Sequence, residues 1–122
     1  MARRPFAESA FACLVATREI GEPPCIAPHA LATFYYIVAQ ARGTEQANAA
    51  IRDLIATSEI VPFNHETAQR SLKLNFGDFE DAMIAATAEA AGMDYIVTRN
   101  GDVFKKSPVP ALSPEAFLEQ MR

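Results

Sequence analysis

The sequence predicts a parallel α/β domain of three layers, α/β/α, and three observations carry that expectation. Apolar stripes at helical spacing alternate with short apolar runs along the chain, so strands are separated by one or two helices and must be joined by right-handed crossovers. The run Tyr95-Ile96-Val97 is apolar at consecutive positions, the pattern of a strand covered on both faces, as in a parallel sheet. At 122 residues, half of them hydrophobic and 21% charged, the chain has the length and composition of one folded domain rather than two, or of a disordered segment.

Pro5 suits the first turn of a helix, and Phe6, Ala10, Phe11, Leu14 and Val15 recur at helical spacing until Gly21 stops the pattern. Cys25-Ile26-Ala27 is a short strand, after which Pro28 opens a helix through Leu31, Phe34, Tyr35 and Val38 that ends at Gly43. Thr44 is placed to cap a third helix, whose apolar stripe is Ala47, Ile51, Leu54 and Ile55. Ile60-Val61, closed by Pro62, reads as a second strand, and Asn64 caps a brief helix carrying Ala68 and Leu72. Asp78 stands at the N-cap of an Ala-rich helix from Phe79 to Ala91, stopped by Gly92. Asp94 to Thr98 is the strongest strand, Val109 to Leu112 an edge strand that tolerates its prolines, and Ser113-Pro114-Glu115 starts a final helix. A doubly wound sheet normally opens on a strand, whereas this chain opens on a helical pattern, so a leading strand is expected to be missing.

Composition excludes several classes of protein. Two cysteines and two histidines, with no Cys-x-x-Cys spacing, argue against a disulfide scaffold and a structural zinc, and point to the cytoplasm. No stretch reaches the ~18 apolar residues of a membrane span. The net charge of −4 repels polyanions, so a nucleic-acid role requires a local basic patch or a bound cation. No phosphate-binding glycine loop or nucleophile elbow occurs.

The chemistry candidates gather at one sheet edge. A helix of about 20 Å returning through Gly92 into a strand of about 16 Å brings the helix start level with the strand end. Asp78, Asp81, Thr98 and Asn100 then share the carboxyl edge, where open α/β folds bind ligands, and the helix start at Pro28 brings His29 and Thr33 there as well. Asp78 and Asp81 lie three apart on one helix face, whereas Glu80 points away and is expected to be solvated. The plain reading of Asp78 and Asp81 is a capping pair. Converging carboxylates ~4 Å apart repel by about 1 kcal/mol in water and about 4 kcal/mol at intermediate dielectric, so the alternative is a divalent cation, Mg²⁺ or Mn²⁺, between them. His29 and His65 read as surface or capping histidines, and Tyr35 and Tyr36 as structural.

The stretch DFEDAMIAATAEAAGMDYIVTRNGDVFKKSPVPALSPEAFL resembles the C-terminal half of bacterial PIN-domain proteins, the fold of the VapC-type toxin ribonucleases, and the likeness continues more weakly back through HALATFYYIVAQARG to RRPFAE. This resemblance implies a short parallel sheet and metal-dependent hydrolysis of RNA, with acids holding Mg²⁺ or Mn²⁺. It puts the helix-start aspartate on Asp81, with Asp78 supporting it, and the post-strand ligand on Asn100, making these three the catalytic and metal-binding set. Thr98 takes the family's threonine, and Thr33 falls near a position usually occupied by Glu. By their position after the strand end, Arg99, Lys105 and Lys106 read either as contacts to RNA phosphates or, equally, as a solvated face. The family's opening strand, ending in Asp-Thr-Asn, has no counterpart, which makes the expected domain N-terminally truncated between the strands at Ile26 and Ile96 and suggests a homo-oligomer. The activity implied is a PIN-type endoribonuclease, the toxin half of a pair with a cognate antitoxin; the alternative is a PIN-like remnant that binds RNA or protein.

Overall fold

The computed structural model describes residues 5–7, 24–113, 115–116 and 119. In chain order these residues form β1 (Pro5–Ala7), β2 (Cys25–Ile26), α1 (Pro28–Arg42), α2 (Thr44–Thr57), β3 (Glu59–Ile60), α3 (His65–Lys73), α4 (Phe79–Ala90), β4 (Tyr95–Val97), a 3-10 helix (Gly101–Phe104) and β5 (Ala111–Leu112). The strands make one five-stranded sheet in the order β3-β2-β1-β4-β5, parallel at every pairing. The parallel α/β architecture is therefore the one the sequence predicts. Among the described residues no helix is long and apolar enough to cross a membrane.

One expectation is corrected at the front of the chain. Pro5–Ala7 is not the first turn of a helix but the central strand, with Phe6 opposite Cys25 on one side and Ile96 on the other. The central place expected to be empty is thus filled by this segment, and the sheet is not truncated there. Proline at the first residue of a strand costs no more than at the first turn of a helix, since neither position depends on the missing N–H. Long-range pairing on both sides then decides between two conformations that the local sequence permits equally. The rest of the helical pattern expected up to Gly21 lies outside the described residues.

Alternation along the strands divides the core between two faces. Phe6, Cys25 and Ile96 point to one side and pack with Ile84, Ala85 and Ala88 of α4, together with Val61, Met93, Phe104 and Val109. Ala7 and Ile26 point to the other side and meet Ala30 and Phe34 of α1 and Leu54 of α2. Ile96 and Val97 are both wholly buried, as a strand covered on two faces requires.

The helix ends have identifiable causes. Gly43, at φ 91°, ends α1 by donating its N–H to the Ala39 carbonyl at 2.8 Å and begins α2 by accepting from the Ala47 N–H at 3.1 Å. That left-handed region favours glycine, so the corner itself starts α2, and Thr44, expected as its cap, is the first helical residue. In α3 the buried positions are Thr67 and Ser71, and Leu72, expected on the packed face, is 72% exposed. The small polar residues fit against the alanine-rich α4 because their hydroxyls are satisfied locally: Ser71 Oγ donates to the Thr67 carbonyl at 2.8 Å and Thr67 Oγ1 to Asn64 Oδ1 at 3.0 Å. Arg70 and Glu89 join the same two helices by a two-pronged ion pair at 2.8 and 3.2 Å. Asn64 caps α3 as expected, its Oδ1 accepting from the Thr67 N–H at 3.0 Å. Asn64→Ala removes both acceptor contacts and is expected to cost about 0.5–2 kcal/mol, read as a drop of several degrees in melting temperature. An unchanged melting temperature would show that this cap contributes nothing. At the far end, Ser113 Oγ accepts from the Ala116 N–H at 3.0 Å, capping the final helix where the sequence placed it.

Candidate functional site

Because every pairing is parallel, β1, β2 and β4 end on the same sheet edge. Each exit carries a candidate residue. Beyond β4, Thr98 is 1% exposed, its N–H donates to the Leu112 carbonyl at 3.0 Å, and its Oγ1 accepts from the Asn100 N–H at 3.0 Å. The buried hydroxyl thereby folds the chain into a tight turn that presents Arg99 and Asn100 to solvent. Asn100 begins the 3-10 helix, and its side chain makes no capping hydrogen bond there. Arg99 reaches Glu115 at 2.5 Å in an exposed ion pair.

Beyond β2, α1 starts with Pro28, and its second residue is His29. Thr33 is exposed and donates its hydroxyl to the His29 carbonyl at 3.2 Å, a local bond within the helix. His29 is not the surface histidine expected from sequence. It is half-buried, and its two ring nitrogens are inaccessible and have no hydrogen-bond partner. Burial holds the imidazole below its ordinary pKa, partly offset by the negative charge of Glu80. The starts of α1 and α4 thus lie within electrostatic reach of each other. The sequence pattern sets both helix starts at this edge, but nothing in it signals that the His29 ring is half-buried there.

The start of α4 is acidic. Asp78 occupies the N-cap, and its Oδ1 accepts from the Asp81 N–H at 3.1 Å, so the capping reading of this pair holds. Asp81 does more than accompany the cap. Its carboxyl is pushed above the usual aspartate value by burial first, then by the neighbouring charges of Asp78 and Glu80. Glu80 is exposed, as its helical direction predicts, yet its field reaches both Asp81 and His29. The edge therefore presents one partly desolvated carboxylate in a negative field at the start of α4, and an exposed amide on the turn after β4.

These donors are oxygen atoms, which suits a hard divalent cation that keeps several waters and binds through one or two carboxylates. Among the described residues no group of three or more His, Cys, Asp or Glu side chains is arranged to hold an ion. By chain continuity the residue after Ala7 is Glu8, an acid that lies outside the described residues. The sequence signal for it, two apolar residues followed by an acid, becomes readable only once β1 is known to be a strand.

Comparison with curated protein sequences gave no match. Among solved structures, the chain is similar to VapBC-1 from nontypeable Haemophilus influenzae, with a TM-score of 0.73 at 12% identity over 93% of this chain and 99% of that one. It is similar to the DNA-bound VapBC from Salmonella typhimurium, with a TM-score of 0.71 at 17% identity over 93% and 99%. A third likeness is to VapC20 of Mycobacterium tuberculosis, a sarcin-ricin loop cleaving toxin, with a TM-score of 0.62 at 16% identity over 81% and 92%. At these identities the likeness establishes the fold. The PIN domain family matches residues 1–102, most of the chain and every strand up to β4. This chain belongs to the PIN domain family.

Proposed function

We propose that this protein is a PIN-type endoribonuclease dependent on Mg²⁺ or Mn²⁺, acting in the cytoplasm as the toxin of a toxin-antitoxin pair. The observation that carries the reading is Asp81: a carboxyl at the carboxyl edge of a parallel sheet, raised in pKa by burial and by two neighbouring acids, is a group whose charge a cation would relieve. Asp81 is the principal ligand and Asn100 contributes an amide oxygen. Asp78 acts through Asp81, holding its backbone N–H. Glu8, the residue that follows the central strand in sequence, is the acid whose substitution tests the set. A divalent ion held by these residues would supply an activated water and would neutralise charge developing on the phosphate. Thr98 sets the turn that aims Asn100, while Arg99 and Thr33 face the RNA strand. The exposed Tyr36 and Ile37 of α1 offer an apolar surface for an antitoxin or a second copy of the chain.

A single-stranded RNA assay tests this reading directly. Cleavage is expected with Mn²⁺ or Mg²⁺, none with a chelator, and a loss on Glu8→Gln comparable to removing the metal. The second reading, an RNA- or protein-binding remnant, is favoured by the missing three-residue ligand group among the described residues. RNA binding without cleavage at any concentration of Mn²⁺ would establish that reading instead.

A further inference from the structure

A cleft of about 240 Å³ opens beside this edge, lined by Phe76, Gly77, Asp102, Val103, Lys105 and Lys106. Its two walls continue the two segments that build the site. Gly77 directly precedes Asp78, and Asp102 follows Asn100 by two residues within the 3-10 helix. Its apolar surface comes from Phe76 and Val103, and the half-buried Phe76 is backed by the buried Phe104, which it meets edge to face with ring centroids 6.3 Å apart. Two ammonium groups stand at the cleft in a chain whose net charge is −4. Lys105 approaches Asp102 only at 4.0 Å, with both side chains highly exposed, so that pair is weak. Lys106 has no ion pair among the described residues. The local balance is thus one uncompensated positive charge on an apolar surface, the reverse of the acidic helix start beside it.

An ammonium pair beside an apolar surface matches a nucleotide of a flexible strand, whose phosphate takes the cation and whose base or ribose takes the apolar surface. A duplex backbone offers the phosphate without the exposed base. We propose that this cleft is a nucleotide subsite for single-stranded RNA, next to the scissile position, in which Lys105 and Lys106 hold a phosphate and Phe76 supports the adjoining nucleoside. The assignment deepens the nuclease reading above and rests on it.

Binding is tested apart from cleavage, in Asp81→Asn protein, by fluorescence anisotropy with a labelled single-stranded RNA at salt concentrations between about 50 and 200 mM. The doubly substituted Lys105→Ala, Lys106→Ala protein is expected to bind about tenfold or more weakly, with the slope of log K against log salt reduced by roughly 0.7 for each lost phosphate contact. Arg52→Ala, which removes an exposed cation from α2 in the opposite layer, is the control and should move neither quantity. Unchanged affinity and slope in the lysine variant overturn the subsite, even if wild-type protein cleaves RNA. Lysine-dependent binding by a wild type that never cleaves with Mn²⁺ overturns the nuclease reading and keeps the subsite. RNA that fails to bind at all overturns both.

Discussion

RNA cleavage is expected to fall by at least about 10²-fold in kcat/KM when Asp81 becomes Asn, a loss of roughly 2.7 kcal/mol or more of transition-state stabilisation. The substitution keeps the backbone N–H that Asp78 accepts from, so the cap and the helix survive. Stability should move the other way. The Asp81 carboxyl is raised in the folded state, so the neutral form is favoured there, and charging it as pH rises through the folded pKa lowers stability. Asparagine carries no such charge. Asp81→Asn is therefore expected to melt no lower than wild type at neutral pH, and to lack the rise in melting temperature expected of the wild type on adding Mn²⁺. Equal cleavage by the two proteins would remove Asp81 from the chemistry. A lower melting temperature with reduced activity would make its role structural.

Phe6→Ala is expected to cost about 3–5 kcal/mol, measured as a lowered midpoint of urea unfolding. The ring is 0% exposed in the central strand, with Cys25 and Ile96 as its strand partners and Ile84, Ala85 and Ala88 in the same core. Against a total stability of about 5–15 kcal/mol for a domain of ordinary size, that loss brings the variant close to unfolding. The same change on the open face of a helix would cost less than about 1 kcal/mol. A small loss would thus return Phe6 to the helix that local spacing first suggested and reopen the centre of the sheet.

Much of the candidate site was legible before the structure, because it sits where two local signals meet. Asp78 followed by an Ala-rich run announces a helix start, and the apolar run ending at Thr98 announces a strand end; chain geometry alone sets them at one edge. The turn chemistry of Thr98 and the environment of His29 were not legible. Thr98 displays an ordinary threonine in sequence, and only its burial beneath the Asn100 N–H gives its hydroxyl a task. His29 reads as a surface residue, and only packing in the folded chain half-buries its ring. Leu72 misled for a related reason. Hydrophobicity marks a packed face only when the partner surface has room for it, and the alanine face of α4 takes Thr67 and Ser71 instead.

Sequence by itself determined the elements whose causes are local: α1 between Pro28 and Gly43, α3 on its Asn64 cap, α4 on its Asp78 cap, and a doubly covered strand at Tyr95–Val97. Periodicity, caps and breakers act within a few residues, and their information is complete there. Only the tertiary structure decided that Pro5–Ala7 is a strand and that the His29 ring is half-buried. A three-residue segment gains too little from its own propensity to choose a conformation; hydrogen bonds and burial against β2 and β4 choose it, and those partners lie far along the chain.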